Sequence, residues 1–327
     1  MKKSILFLAG AVGLIAASCQ NFKKGDGGLE YKIVKDEGAA KAGAGDHMFY
    51  DMVVLSDRND SLIQSTYDLG LPEYIQVPAD SIPGTYKGDF TSMFRMLGEG
   101  DSAVFRLNLD TMAAKTGQPK PPIADHYITF QIKVRKHVQK GNLQDSVVYA
   151  ELDKFYKGEI EKLEKGEPAK IEKYVSSNKL QPKKTASNLQ YVVETEGKGD
   201  KAVLGDTVVV NYTGRLINGK VFDSSVKEVF EKEKLPINPM KTFEPFRLAL
   251  GSQPVIPGWV EGIQLLNKGA KAKFIIPSAL GYGPNGNPQG RIAPYSPLIF
   301  DIEVVDIIKG KAPEAAPAPE VAPAPAN

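Results

Sequence analysis

"VVVNYTGRLINGKVFDSS", Val208 to Ser225, decides the fold. Val208, Val210 and Tyr212 alternate as a half-buried strand does, and Asn218-Gly219 is a strong short-range signal for a hairpin turn. The chain then resumes an extended run that ends in an aromatic residue and an acid, Phe222 and Asp223. The same frame occurs earlier as "YDMVVLSDRNDSLIQST", Tyr50 to Thr66. There Met52 stands where Tyr212 stands later, and Ile63 with Gln64 stand for Phe222 with Asp223.

The repetition extends along the chain. Leu29 to Asp46 matches Leu189 to Asp206 at a constant offset, 189 − 29 = 160. Asp89 to Asp110 follows the pattern of Gly258 to Ala279, and Ile128 to His137 that of Leu298 to Ile307. Two long copies mean two domains of one fold rather than a solenoid, whose repeats are far shorter. Each copy alternates apolar residues in strands, as in Phe300, Ile302 and Val304. Each also has one short helix with apolar residues at helical spacing: Phe90, Phe94 and Leu97 in the first, Trp259, Ile263 and Leu266 in the second. A glycine, Gly100 or Gly269, is expected to close that helix. The predicted class is α+β, an antiparallel sheet wrapped over one short helix, built twice.

Between the copies, Leu152, Phe155, Ile160 and Leu163 recur at helical spacing, with Asp153–Lys157 and Glu161–Lys165 as (i, i+4) pairs. Gly166 and Pro168 are expected to interrupt this helix. Ile171, Tyr174 and Val175 mark a second one ending near Asn178, and the apolar stripe must cover a domain or a partner chain.

Composition bounds the chemistry. The chain has 327 residues, enough for two ordinary domains, and a net charge of +2 that gives no global field for nucleic acid. His47, His126 and His137 are scattered and Cys19 is the only cysteine, so no metal cluster, disulfide framework or thiol nucleophile is expected. Lys2, Lys3 and the apolar run Ile5 to Ala17 read as a secretory signal too short to span a bilayer. Ala16, Ala17 and Ser18 before Cys19 resemble a bacterial lipobox, which implies acylation of Cys19 and a lipid anchor in the cell envelope. The residues after Cys19 favour the outer membrane, facing the periplasm, by resemblance to lipoprotein sorting signals. The run from Lys311 is rich in Ala and Pro and reads as a solvated tail.

The second copy resembles the FKBP-type peptidyl-prolyl cis/trans isomerases, a family that also binds macrolides. The resemblance runs from about Ser187 to Lys309. It rests on the opening stretch, on "FRLALGSQPVIPGWVEGIQLLNKGAKAKFIIPSALGYG" and on "IAPYSPLIFDIEVV", in that order. It implies a pocket of Tyr212, Phe222, Asp223, Phe246, Val255, Ile256, Trp259, Tyr282, Ile292 and Phe300. Trp259 would be the floor under the prolyl ring, with Phe222, Phe246 and Phe300 as walls. The Ile256 N–H and the Tyr282 hydroxyl would bind substrate carbonyls, and Asp223 would bind Tyr212 or the ligand. A lone tryptophan at helical spacing is ordinarily core; the "VIPGW" context assigns Trp259 to the pocket. No cofactor and no metal are implied. The partners implied are proline-containing exported polypeptides, with macrolide-type inhibitors as ligands.

About twenty residues between Ser225 and Phe246 border the pocket and exceed what compact members carry. In the first copy Phe90 replaces Trp259 and no "GYG" flap follows Asp110, so that copy reads as a degenerate FKBP-like domain serving spacing, homodimerisation or client binding. The resulting division is 1–18 signal, 19–28 tether, 29–140 degenerate domain, 141–183 helical linker, 184–311 isomerase domain and 312–327 tail. A non-catalytic envelope chaperone or scaffold is the alternative function.

Overall fold

A computed structural model describes residues 22–68, 70–79, 85–233, 235 and 242–310. The signal, Cys19 and the Ala/Pro tail lie outside the described residues. The chain divides into two compact units, residues 1–155 and 156–327.

The first unit runs β1 (Lys23–Lys24), β2 (Glu30–Lys35), β3 (His47–Ser56), β4 (Leu62–Ser65), β5 (Glu73–Gln76), α1 (Phe90–Phe94), β6 (Ser102–Asn108), α2 (Leu109–Thr116) and β7 (Tyr127–Val138). Its antiparallel sheet has the order β1-β2-β6-β7-β3-β4, with β5 also pairing β3. Helix α1 is capped by Asp89, whose carboxylate accepts from the Ser92 N–H at 2.9 Å. The helix is only five residues long, too short to persist alone, so packing must hold it. Met93, Phe94 and Leu97 are fully buried against Met48, Phe105 and Ile132 of the sheet. Each such side chain contributes about 1.5–3 kcal/mol on leaving water.

Helix α3 (Asp145–Ser177) then runs unbroken through Gly166 and Pro168. The expected interruption does not occur. A proline inside a helix removes one hydrogen bond and costs about 3 kcal/mol, but packing on both sides of Pro168 outweighs it. Within the first unit, Val148, Leu152 and Phe155 cover Phe49 and Val138 on the outer face of the sheet. Within the second unit, Ile171, Tyr174 and Val175 cover Ile275, Ile299 and Ile217. These two ends of the stripe therefore cover the protein's own sheets.

The second unit continues with β8 (Lys183–Lys184), β9 (Gln190–Thr195), β10 (Lys198–Lys201), β11 (Thr207–Leu216), β12 (Val221–Ser224), α4 (Lys227–Lys232), β13 (Phe246–Ala249), α5 (Pro257–Ile263), β14 (Asn267–Lys268), β15 (Lys271–Ile276) and β16 (Leu298–Ile308). Its sheet order, β8-β9-β15-β16-β11-β12 with β13 on β11, repeats the first unit strand for strand. The irregularities repeat as well. The register slips between Phe49 and Tyr50 in one unit and between Val209 and Val210 in the other. It slips again between Val54 and Leu55, and between Gly214 and Arg215, where the hairpin strand joins. Bulges bend a strand and re-aim its side chains, so their repetition fixes the same curvature in both sheets.

Gly100 and Gly269 do take left-handed φ values of 86° and 84°. They sit six residues beyond the last helical residue, 100 − 94 and 269 − 263, and donate to Val134 and Val304. Their task is the turn into the next strand, which needs φ > 0, rather than closure of the helix.

Candidate active-site cleft of the second unit

Three elements converge on Trp259. It lies in the first turn of α5, entered by Ile256 in extended backbone and by Pro257 at the first helical position, where a proline's missing N–H costs nothing. Its indole is buried, with 5 % exposure, and ringed edge-on by aromatics. Ring centroids lie 5.1 Å away at Tyr212, 5.2 Å at Phe300 and 6.1 Å at Phe246, with interplanar angles of 74–87°. Phe222 stands edge-on to Phe300 at 5.6 Å. T-shaped contacts of this kind set the positive edge of one ring against the face of another and favour a fixed arrangement.

The Trp259 Nε1–H is buried with no hydrogen-bond partner among the described residues. An unpaired buried donor of this kind costs about 1–3 kcal/mol, a sum that ordinary core positions avoid.

Polar groups hold the walls. The Tyr212 hydroxyl donates to the Asp223 carboxylate at 2.6 Å. Burial, followed by the Asp223 hydrogen bond and charge, pushes the Tyr212 phenol far above its ordinary range, so it stays a proton donor. The Tyr212 N–H donates to Ser225 Oγ at 2.9 Å, Thr213 and Ser224 hydroxyls meet at 2.9 Å, and the Ser224 N–H donates to Asp223 at 2.8 Å. Ser224 and Ser225 thus lock β12 against β11 with both buried, which the sequence reading did not assign.

A second unassigned residue is Gly214. A Cβ built there would lie 2.7 Å from the Phe222 ring and 2.8 Å from the Phe300 ring. The first unit has Val54 at the matching register, with the smaller Ile63 beside it. The exchange of Gly214 for Val54 beside that of Phe222 for Ile63 is visible when the two copies are compared through the hairpin.

Of the expected site residues, Tyr212, Phe222, Phe246, Val255, Ile256, Trp259, Tyr282, Ile292 and Phe300 all pack in one apolar cluster, and Asp223 joins through Tyr212. Ile292 is only 2 % exposed and bridges to Asn287, so it braces the loop from within. The Ile256 N–H and the Tyr282 hydroxyl are half-buried groups with no protein partner among the described residues. The cluster is thus an aromatic, largely buried surface, with the half-buried Ile256 N–H and Tyr282 hydroxyl among its residues.

The segment between Ser225 and Phe246 contributes α4, and Phe230 packs edge-on against Phe243 at 5.2 Å. In the first unit Phe90 takes the place of Trp259, with its ring 5.1 Å from Phe130. Helix α2 stands there in place of the Gly-Tyr-Gly turn.

Residues 198–305 match the model of the FKBP-type peptidyl-prolyl cis-trans isomerase family. A probable FKBP-type peptidyl-prolyl cis-trans isomerase of Haemophilus influenzae is 46% identical over 125 residues, 38% of this chain and 45% of that protein. The probable FKBP-type peptidyl-prolyl cis-trans isomerase FkpA of Neisseria meningitidis is 43% identical over 136 residues, 42% of this chain and 43% of that protein. The crystal structure of FkpA from Escherichia coli is 34% identical, covering 51% of this chain and 74% of that one, with a TM-score of 0.38. The matches span less than half the length of these curated relatives. The family match lies wholly within the second unit.

Proposed function

We propose that the second unit catalyses cis/trans isomerisation of X–Pro peptide bonds. The observation that carries this reading is the aromatic cluster itself: three rings set edge-on around an indole floor with Phe222 edge-on to one of them, present in this unit and reduced in the other. Rotation about an X–Pro bond faces a barrier of about 18–20 kcal/mol because amide resonance must be broken. The planar amide is charge-separated and well solvated, whereas the twisted amide is less polar. A cleft of aromatic walls therefore suits the twisted state better than the ground state, which is catalysis by differential binding.

In this account Trp259 carries the prolyl ring, while Phe222, Phe246 and Phe300 exclude water. The Ile256 N–H and the Tyr282 hydroxyl hold flanking carbonyls of the substrate chain. Asp223 fixes the Tyr212 ring rather than moving a proton. Macrolides would occupy the same cleft.

The substrates proposed are exported polypeptides carrying X–Pro bonds. The leader and Cys19 support a lipid-anchored protein of the bacterial envelope, at the outer membrane facing the periplasm. One acyl-modified residue would supply all the membrane affinity, so Cys19→Ala is expected to shift the protein from the membrane fraction to the soluble one.

The first unit, which keeps the frame without the cleft, is proposed as a degenerate, non-catalytic partner that docks client chains. Exposed aromatics on it, Tyr74 and Tyr149, support that role. A protease-coupled proline-peptide assay tests the division. Turnover is expected from the second unit and none from residues 22–155; comparable turnover by both would contradict it.

A further inference from the structure

The turn that carries Tyr282 begins at Pro277, and its first N–H groups need acceptors. In the first unit the matching position is Asn108, whose own side chain accepts from the Thr111 N–H at 2.8 Å and caps α2. Pro277 has no polar side chain, and the turn Ser278–Leu280 has no cap of its own. Ser278 is nevertheless buried, at 3 % exposure, so water cannot serve as the acceptor.

The missing cap comes from α3. Glu167 Oε1 accepts from the Ser278 N–H at 2.5 Å, and Oε2 accepts from the Ser278 hydroxyl at 2.6 Å. A carboxylate at the start of a turn also meets the partial positive charge of its free N–H groups. One turn earlier on the same helix lies Glu164, whose charge, after burial, raises the pKa of the Tyr295 phenol. Tyr295 has a φ of 52°, rare for a bulky residue, and its N–H donates to the Gly283 carbonyl at 3.0 Å. Glu167 of α3 thus holds the start of the segment 278–295, which bears Tyr282 and Ile292. Neither carboxylate falls within the span matched by the family model.

We propose that Glu167 is a positioning residue for the cleft: it caps the flap turn and so sets where the Tyr282 hydroxyl meets substrate. The proposal rests on the isomerase reading above. Glu167 touches no substrate; it acts through Ser278 and the turn that follows.

The test uses the full chain and a proline tetrapeptide. Glu167→Ala is expected to raise KM three- to tenfold with kcat changed less than twofold. Glu167→Gln, which keeps an acceptor oxygen, should recover most of the loss. Ser278→Ala, which keeps the N–H cap and loses only the hydroxyl contact, should do less than Glu167→Ala, and combined with Glu167→Ala it should add little to that change. Ile171→Ala serves as the control, since it weakens the packing of α3 on the sheet without touching the flap; it should lower Tm and leave KM alone. Hydrogen exchange at the Leu280 and Gly281 amides, bonded to Pro277 and Ser278, reads the turn without any turnover. It should speed at least tenfold in Glu167→Ala and not in Ile171→Ala. An unchanged KM with unchanged exchange in Glu167→Ala would overturn the proposal, as would an equal rise of KM in Ile171→Ala. A wild-type chain without turnover would refute the isomerase reading, and the exchange data would then decide the cap alone.

Discussion

Gly214 lies under the ring of Phe222, so close that a Cβ on it would come within 2.7 Å of the ring. Val54, at the same register in the first unit, fills that space and faces Ile63 and Gln64 instead of Phe222 and Asp223. One strand pair therefore exists in two versions, one with an empty position that admits an aromatic wall and one packed shut. The core is kept in both: Phe94, Phe105 and Ile132 in the first unit are as buried as Ile263, Phe274 and Ile302 in the second.

Gly214→Val, which writes the first unit's residue into the second, should push Phe222 and Phe300 out of position. Overpacking of this kind costs about 1–3 kcal/mol of stability. The loss in kcat/KM should be larger, at least tenfold, measured on protein shown to be folded by its melting transition. Pairing the change with Phe222→Ile, the first unit's combination, should restore stability but not activity.

The outer face of the second sheet sets how the unit can be cut. Ile171, Tyr174 and Val175 cover Ile275, Ile299 and Ile217. A fragment of residues 184–310 bares those side chains and loses the Glu167 cap, whereas residues 156–310 keep both. The longer fragment should melt higher by several degrees, since about 1 kcal/mol corresponds to about 2–8 °C in domains of this size range. Equal melting temperatures would show that the helix adds nothing to the unit.

Acid should act first on the first unit. His47 is buried on β3, its Nδ1 2.6 Å from the Tyr74 hydroxyl, and burial pulls its pKa below the ordinary value of 6.5. The unfolded chain then binds a proton more readily than the folded one. This contribution is whole above pH 6.5 and is lost as the pH falls through the lowered value. At 47 + 160 the second unit has Thr207, which does not titrate. Denaturant melts of the two units between pH 7.5 and 5 should show the first weakening and His47→Gln removing the trend. A slope that persists in His47→Gln would place the sensitivity elsewhere.

Much of this is legible in the sequence alone. Alternation in Val208, Val210 and Tyr212, the Asn-Gly turn and the constant offset between copies carry strong local signals, and the sheet follows them. The aromatic cluster was legible through resemblance, because its motif residues are close in sequence or in fixed order. What was not legible depends on distance in the chain. Pro168 reads as a break because local propensity cannot register Ile171 and Glu167 anchoring the helix 111 residues away from Ser278. Gly100 and Gly269 read as helix ends because a left-handed glycine looks the same at a helix end and at the turn into a strand. Gly214 differs visibly from Val54 when the copies are compared, but that its missing Cβ makes room for Phe222 and Phe300 shows only once those rings are placed beside it.

The central claim is that the cleft works by shape and low polarity, with no side chain serving as acid or base. The most direct measurement is kcat/KM on a proline peptide for wild type, Phe222→Ala and Asp223→Asn, with the wild type followed from about pH 6 to 8. Phe222→Ala opens a wall to water and should lower kcat/KM by about one to two orders of magnitude, roughly 1.4–3 kcal/mol of transition-state stabilisation. Asp223→Asn keeps the shape and an acceptor for Tyr212, so it should cost less, and the pH profile should be flat. A bell-shaped profile, or Asp223→Asn proving the more damaging change, would contradict the account.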